Sequence, residues 1–179
     1  PSNLGLVANK SEKRRISIKK MDKSVSRDEL IEILQYQDIW CEYLHQERPS
    51  CLVILNTVQS AAVIAKCLAR KLDQSVSNLQ VRKVLHLSTS LAPKDRQKML
   101  NEVLRRQGNS EWNSEPWYLV ATSCVEAGVD LDFAIGFRET CSVSSFIQIS
   151  GRINRHGKRT GGILIDFSMV DGDGIVKHP

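Results

Sequence analysis

The chain has 179 residues, enough for one domain with a real hydrophobic core, and 41% of them are apolar against 25% charged. Those proportions exclude a globally disordered chain, and no apolar run approaches the ~20 residues of a membrane-spanning helix. The formal net charge of +5 favours anionic partners, of which nucleic acid is the commonest, although many basic domains bind none.

The cysteines, Cys41, Cys51, Cys67, Cys124 and Cys141, are odd in number and widely spaced. None pairs at zinc-ligand spacing, which points away from a metal site and toward a reduced, cytoplasmic compartment. The first residue is Pro1, with no initiating Met and no apolar signal core behind it, so the chain is expected to be a piece of a longer protein.

Residues 1–25 form a basic approach segment. Within it Arg15-Ile16-Ser17-Ile18-Lys19 alternates polar and apolar, as a short edge strand does; a solvated arm is the alternative. Residues 26–168 carry the domain and residues 169–179 a C-terminal tail. Ser26-Arg27-Asp28-Glu29 suits a helix cap, followed by Leu30, Ile33, Leu34, Trp40, Cys41 and Leu44 at helical spacing. Cys51–Leu55 is a continuous apolar run between Pro49 and Asn56, the pattern of a buried parallel strand.

A helix is predicted over Val58–Leu72 with Val63, Cys67 and Leu68 inward, then a strand over Val81–Leu87 and a helix over Pro93–Arg106. Residues 107–115 make a polar loop. Strands follow at Trp117–Thr122 and Phe133–Phe137, a mostly helical stretch over Ser142–Arg155, and a last strand over Gly162–Phe167. Alternating strands and helices imply an α/β fold, a doubly wound and mostly parallel sheet, whose ligands ordinarily sit at the carboxyl ends of strands.

The segment Gln148-Ile-Ser-Gly151-Arg152-Ile-Asn-Arg155-His-Gly157 is the most distinctive. On a helix Arg152 and Arg155 would share a face, and two guanidiniums side by side make a fork for phosphate oxygens. Gly151 allows close approach and Gln148 can hydrogen-bond in both directions. The bland alternative is a basic helix end offsetting the helix dipole.

In Leu119-Val-Ala-Thr122-Ser-Cys-Val-Glu126-Ala-Gly128-Val-Asp130, an apolar strand ends in a hydroxyl, and a glycine and a carboxylate follow. Thr122 could meet a phosphate and Asp130 a ribose hydroxyl, with Gly128 keeping the approach open; a plain strand–turn is the alternative. Asn56-Thr57 and Ser88-Thr89-Ser90 end strands and open helices, where free N–H groups favour anions, or merely cap those helices. His86 and the tryptophans fit packing roles, Trp112 alone being placed for base stacking. The chain contains no Gly-x-x-x-x-Gly-Lys-Ser/Thr phosphate loop and no acidic magnesium run. It has parts that complete a phosphate site, not those that build one.

In order and spacing these segments resemble the fifth and sixth motifs of superfamily 2 helicases, with Asn56-Thr57 where the fourth would fall. Val125–Phe133, Arg138-Glu139, Phe146–Gln148 and Gly151–Gly157 look more narrowly like the helicase portion of the CRISPR-associated helicase–nuclease of type I systems.

That resemblance implies a second RecA-like domain, closing on ATP and Mg2+ held mainly by a first RecA-like domain outside this chain. Arg155 and Arg152 would act as arginine fingers and Gln148 as the nucleotide sensor. Asp130, with Gly128 and Gly151, would lie at the nucleotide. Asn56, Thr57, Ser88 and Thr122 would hold single-stranded DNA. A CRISPR surveillance complex is the implied partner, and no membrane is. Another superfamily 2 DNA or RNA helicase, or a non-catalytic RecA-like binding module, are the rival readings.

Overall fold

A computed structural model describes residues 15–35, 50–73, 82–108, 116–125, 130–159 and 161–176. The described residues form a six-stranded sheet from β1 (Ile16–Lys20), β2 (Ser50–Ile54), β3 (Val84–Leu87), β4 (Trp117–Ala121), β5 (Ile135–Glu139) and β6 (Gly162–Phe167). The strand order is β1-β6-β5-β2-β4-β3 and every pairing in it is parallel. The expected α/β doubly wound class is therefore found. The four central strands are buried almost throughout because both faces of the sheet are covered.

Helices α1 (Arg27–Gln35) and α2 (Val58–Leu72) cover one face. There Leu30, Ile31, Leu34, Ile64 and Leu68 pack on Val53, Val120, Phe137 and Ile165. Helices α3 (Pro93–Gly108) and α4 (Val143–Ser150) cover the other. There Val103 and Ile149 pack with Leu52, Leu119, Phe133 and Leu164. The Ser26 cap forms as a reciprocal pair, with Glu29 N–H on Ser26 Oγ at 3.3 Å and Ser26 N–H on Glu29 Oε2 at 2.7 Å. No helix among the described residues is long and apolar enough to cross a membrane.

Several details differ from the sequence expectation. In α2 the inward residues are Ala61, Ile64, Ala65 and Leu68, whereas Val63 and Cys67 sit on its flank. The small alanines let the helix axis lie close to the sheet, which a count of large apolar side chains overlooks. Strand β5 starts at Ile135 rather than Phe133 and continues through Arg138 and Glu139, both buried. Strand β3 begins at Val84, where Lys83 and Val84 N–H groups are held by the Asp73 carboxylate at the end of α2. Trp40, Cys41, Leu44, Val81, Trp112 and Gly128 lie outside the described residues.

The largest departure concerns the end of α4, which stops at Ser150 and not near Arg155. Residues 152–154 instead run alongside Phe133. Phe133 N–H donates to the Arg152 carbonyl at 2.8 Å and Asn154 N–H to the Phe133 carbonyl at 2.7 Å. Residues 169–176, expected as a tail, pack back on the domain. Met169 bridges Val25, and the Val176 N–H donates to Ser60 Oγ at 3.0 Å.

Candidate functional site

The turn after α4 is built around one buried side chain. Ile153 is fully buried and enters the gap left by two glycines in neighbouring strands. A Cβ on Gly136 of β5 would lie 2.7 Å from Ile153 Cδ1, and one on Gly162 of β6 would lie 2.7 Å from Ile153 Cγ2. Filling that slot is worth about 1.5–3 kcal/mol for an Ile side chain, enough to draw the chain out of the helix. Asn154 completes the turn at φ 44°, in the left-handed region that Asn tolerates better than most residues.

Arg152 and Arg155 therefore do not share a helical face, and that expectation is corrected. They are nevertheless brought together by the turn, around Asp130. Arg155 Nε lies 2.8 Å from Asp130 Oδ1, both side chains being well exposed. His156 Nε2 stands 3.9 Å from the other carboxylate oxygen. Arg152 is only 8% exposed. Burial, and then the neighbouring Arg155 cation, pull its guanidinium below the ordinary value, while Asp130 works in the opposite direction.

Asp132, two residues on, organises the backbone beneath them. Its Oδ1 accepts the Arg155 N–H at 2.8 Å and faces Arg159 Nη1 at 3.0 Å. Gln107, near the end of α3, clamps the Asp132 peptide, with Nε2 on its carbonyl at 3.0 Å and Oε1 accepting its N–H at 3.3 Å. Gly151 closes α4, its N–H returning to the Ile147 carbonyl at 3.2 Å, and Gln148 is exposed one turn before Arg152.

The remaining candidates occupy the opposite end of the sheet. Asp130 and the arginine turn adjoin Phe133 and Gly162, ahead of β5 and β6, and so lie at the amino edge. Asn56-Thr57, Ser88 and Thr122 follow β2, β3 and β4, so they line the carboxyl edge of three adjacent strands. The rule that ligands sit at carboxyl ends locates only this second group.

Asn56 is held there by Arg138 and by β5's end. Its Oδ1 accepts from Arg138 Nη1 at 2.6 Å, its Nδ2 donates to the Thr140 carbonyl at 2.9 Å, and its N–H donates to Glu139 Oε2 at 2.7 Å. Thr57 caps α2, accepting from the Ser60 N–H at 3.1 Å. Ser88 is fully buried with its hydroxyl 2.8 Å from Ser90 Oγ, and Thr122 is 5% exposed with its hydroxyl on Cys124 Sγ at 3.5 Å.

Sequence reading missed Asp132, Gln107 and the structural part of Arg138 and Glu139. The Asp-x-Asp alternation before an apolar strand, and a charged pair ending one, are the signals that were present.

The model of the family "CRISPR-associated nuclease/helicase Cas3, C-terminal" matches residues 47–158, which include Asp130 and the whole arginine turn. The chain belongs to this Cas3 C-terminal family. A Cas3 nuclease/helicase of Haloferax volcanii is 35% identical over 92 residues, covering 50% of this chain and 9% of that protein.

Among solved structures, Cas3 of T. fusca with ATP superposes with a TM-score of 0.65 at 17% identity, over 89% of this chain and 18% of that one. The DUF1998 helicase MrfA bound to DNA and AMPPNP gives 0.59 at 15% identity, over 87% and 20%. At such identities the likeness establishes the shared fold. This Cas3-family chain thus has the architecture of a helicase RecA-like domain and spans less than a quarter of the length of any of these proteins.

Proposed function

We propose that this chain is the C-terminal, arginine-bearing RecA-like half of an ATP-dependent DNA helicase or translocase acting in CRISPR interference. The observation that carries the reading is the exposed Arg155–Asp130 pair at one edge of the sheet, in the same turn as the largely buried Arg152. A guanidinium held by an exposed carboxylate in water can exchange that partner for a phosphate oxygen at little cost, since such pairs contribute only about 0–1 kcal/mol.

On this reading a preceding RecA-like domain holds ATP and Mg2+. Closure then brings Arg155, and Arg152 behind it, against the γ-phosphate. The guanidinium charge stabilises the negative charge spread over the transferring phosphoryl group. Asp130, released from Arg155, accepts a ribose hydroxyl. Gly151 leaves room for the approach, Gly128 by its lack of a side chain does the same, and Gln148 reports the nucleotide's state across the domain boundary. At the carboxyl edge, Asn56, Thr57, Ser88 and Thr122 frame the path of single-stranded DNA, and cycles of closure move that strand. Cas3 family membership, and a solved relative described as a CRISPR RNA-guided surveillance complex, support such a complex as the recruiting partner.

The deciding experiment is Arg155→Ala in the full-length protein. DNA-stimulated ATP hydrolysis is expected to fall by at least ~100-fold with the melting temperature of the protein little changed. Wild-type turnover in that variant would remove the finger assignment.

A further inference from the structure

The turn that presents Arg152 and Arg155 is braced from the far end of the chain. Arg15, immediately before β1, lies 138 residues upstream of Ile153 and donates from Nη1 to its carbonyl at 3.0 Å. The same nitrogen reaches the Asn154 carbonyl at 3.2 Å. The contact is returned, because Asn154 Nδ2 donates to the Arg15 carbonyl at 3.0 Å and to the Arg159 carbonyl at 3.1 Å. Pairing of Ile16 with Gly162 in the β1–β6 ladder fixes where Arg15 can stand.

The peptide joining Ile153 to Asn154 gives its N–H to the Phe133 carbonyl and its C=O to Arg15. The next peptide, joining Asn154 to Arg155, gives its N–H to Asp132 and its C=O to Arg15. Two successive peptide planes are therefore clamped at both ends, and Arg155 projects from the second. Charge-assisted hydrogen bonds to both carbonyls are stronger than neutral ones would be. An irregular turn at φ 44° needs such over-determination to hold one conformation.

We propose that Arg15 is a positioning residue for the arginine fingers, so that the edge strand β1 contributes to phosphoryl transfer by setting the backbone beneath Arg155. The inference rests on the finger reading of Arg155, and Arg15 lies outside residues 47–158 that the family model covers. Arg15 bonds the backbone of the turn and acts through it. Displacement of a reacting group by ~1 Å can cost ~10²-fold in rate, which sets the scale of the expected effect.

The test is steady-state ATP hydrolysis by the full-length protein with saturating single-stranded DNA, comparing Arg15→Ala, Arg15→Lys, Arg155→Ala and the Arg15→Ala/Arg155→Ala double variant. Arg15→Ala is expected to lower kcat about 10- to 100-fold with KM for ATP within about twofold. Because a single nitrogen, Nη1, serves both carbonyls, Arg15→Lys keeps a cationic donor of the needed kind and is expected to hold kcat within about threefold of wild type. Adding Arg15→Ala to Arg155→Ala should cost less than about twofold more, because the clamped peptide leads directly into Arg155 and its side chain is already gone.

Normal kcat in Arg15→Ala beside a collapsed Arg155→Ala overturns the brace and leaves the fingers standing. A double variant whose loss is the product of the single losses does the same, since it marks independent roles. Unchanged turnover in Arg155→Ala overturns both readings. Should Arg15→Ala fail to fold, Arg15→Lys against Arg15→Gln decides: a lower kcat in the neutral variant alone supports the brace, and equal kcat in the two overturns it.

Discussion

At the scale of single residues, the two arginines of the turn have different surroundings and should fail differently. Arg155 is 40% exposed on its side chain, so its truncation removes charge and little packing. Arg152 is nearly buried beside Phe133 and the end of α4, so its truncation removes packing as well. Arg152→Ala is therefore expected to lower both ATP turnover and thermal stability, whereas Arg155→Ala lowers turnover alone. Thermal melts recorded beside the activity assay separate the two.

Asp130 gives a second prediction at this scale. If its carboxylate moves from Arg155 to the ribose on closure, Asp130→Ala in the full-length protein should shrink the preference for ATP over 2′-deoxy-ATP by about tenfold, the size of one charged hydrogen bond. The ratio of kcat/KM for the two nucleotides measures this. A ratio equal to that of the wild type removes a contact to the 2′-hydroxyl. None of this pairing was visible in the spacing of Arg152 and Arg155, which suggested a shared helical face; the carboxylate that gathers them lies more than twenty residues earlier in the chain.

At the scale of elements, the end of α4 shows why periodicity alone misplaces a boundary. Nothing local stops the helix at Ser150, since Gly151 still holds helical angles. The stop comes from elsewhere: Phe133 offers two backbone bonds, and Gly136 and Gly162 leave a slot that fits Ile153. Those glycines stand in two different strands and are adjacent only once β5 and β6 pair. The helix start was legible because Ser142 is a local cap, whose Oγ accepts the Ser145 N–H at 3.3 Å.

The slot makes its own prediction. In Gly162→Ala the new methyl would meet Ile153 Cγ2 at 2.7 Å and the Ala134 carbonyl at 3.3 Å, neither of which moves freely. Overpacking of this kind costs about 1–3 kcal/mol. Gly108→Ala, where nothing lies within 4 Å, should be neutral or slightly stabilising, by up to about 1 kcal/mol. Urea denaturation of the two variants side by side tests the contrast, and equal midpoints would show that the turn is not wedged against the sheet.

At the scale of the whole molecule, the sheet separates two surfaces. The alternation of short apolar runs with amphipathic helices made the class of fold readable, and the parallel pairing followed from it. The placement of the arginine turn did not follow, because the carboxyl-end rule says nothing of a segment that returns past the end of a helix. Here the arginine turn returns with α4 to the amino edge, while Asn56, Thr57, Ser88 and Thr122 stay at the carboxyl edge.

If the first edge completes a site held by another domain and the second follows a DNA strand, the two activities of this chain in isolation should come apart. Hydrolysis of ATP should be absent from the chain alone, because only the charge-stabilising half of the site is present. Weak binding to single strands should persist, since its contacts lie wholly within this domain. With roughly three or four phosphates engaged, affinity should fall about 15- to 60-fold between 50 and 200 mM salt. Fluorescence anisotropy of a labelled oligonucleotide across that range measures the slope. An affinity insensitive to salt would dismiss the carboxyl edge as a phosphate track while leaving the arginine turn untouched. Arg155-dependent ATP hydrolysis by the chain alone would dismiss the division of the site between two domains.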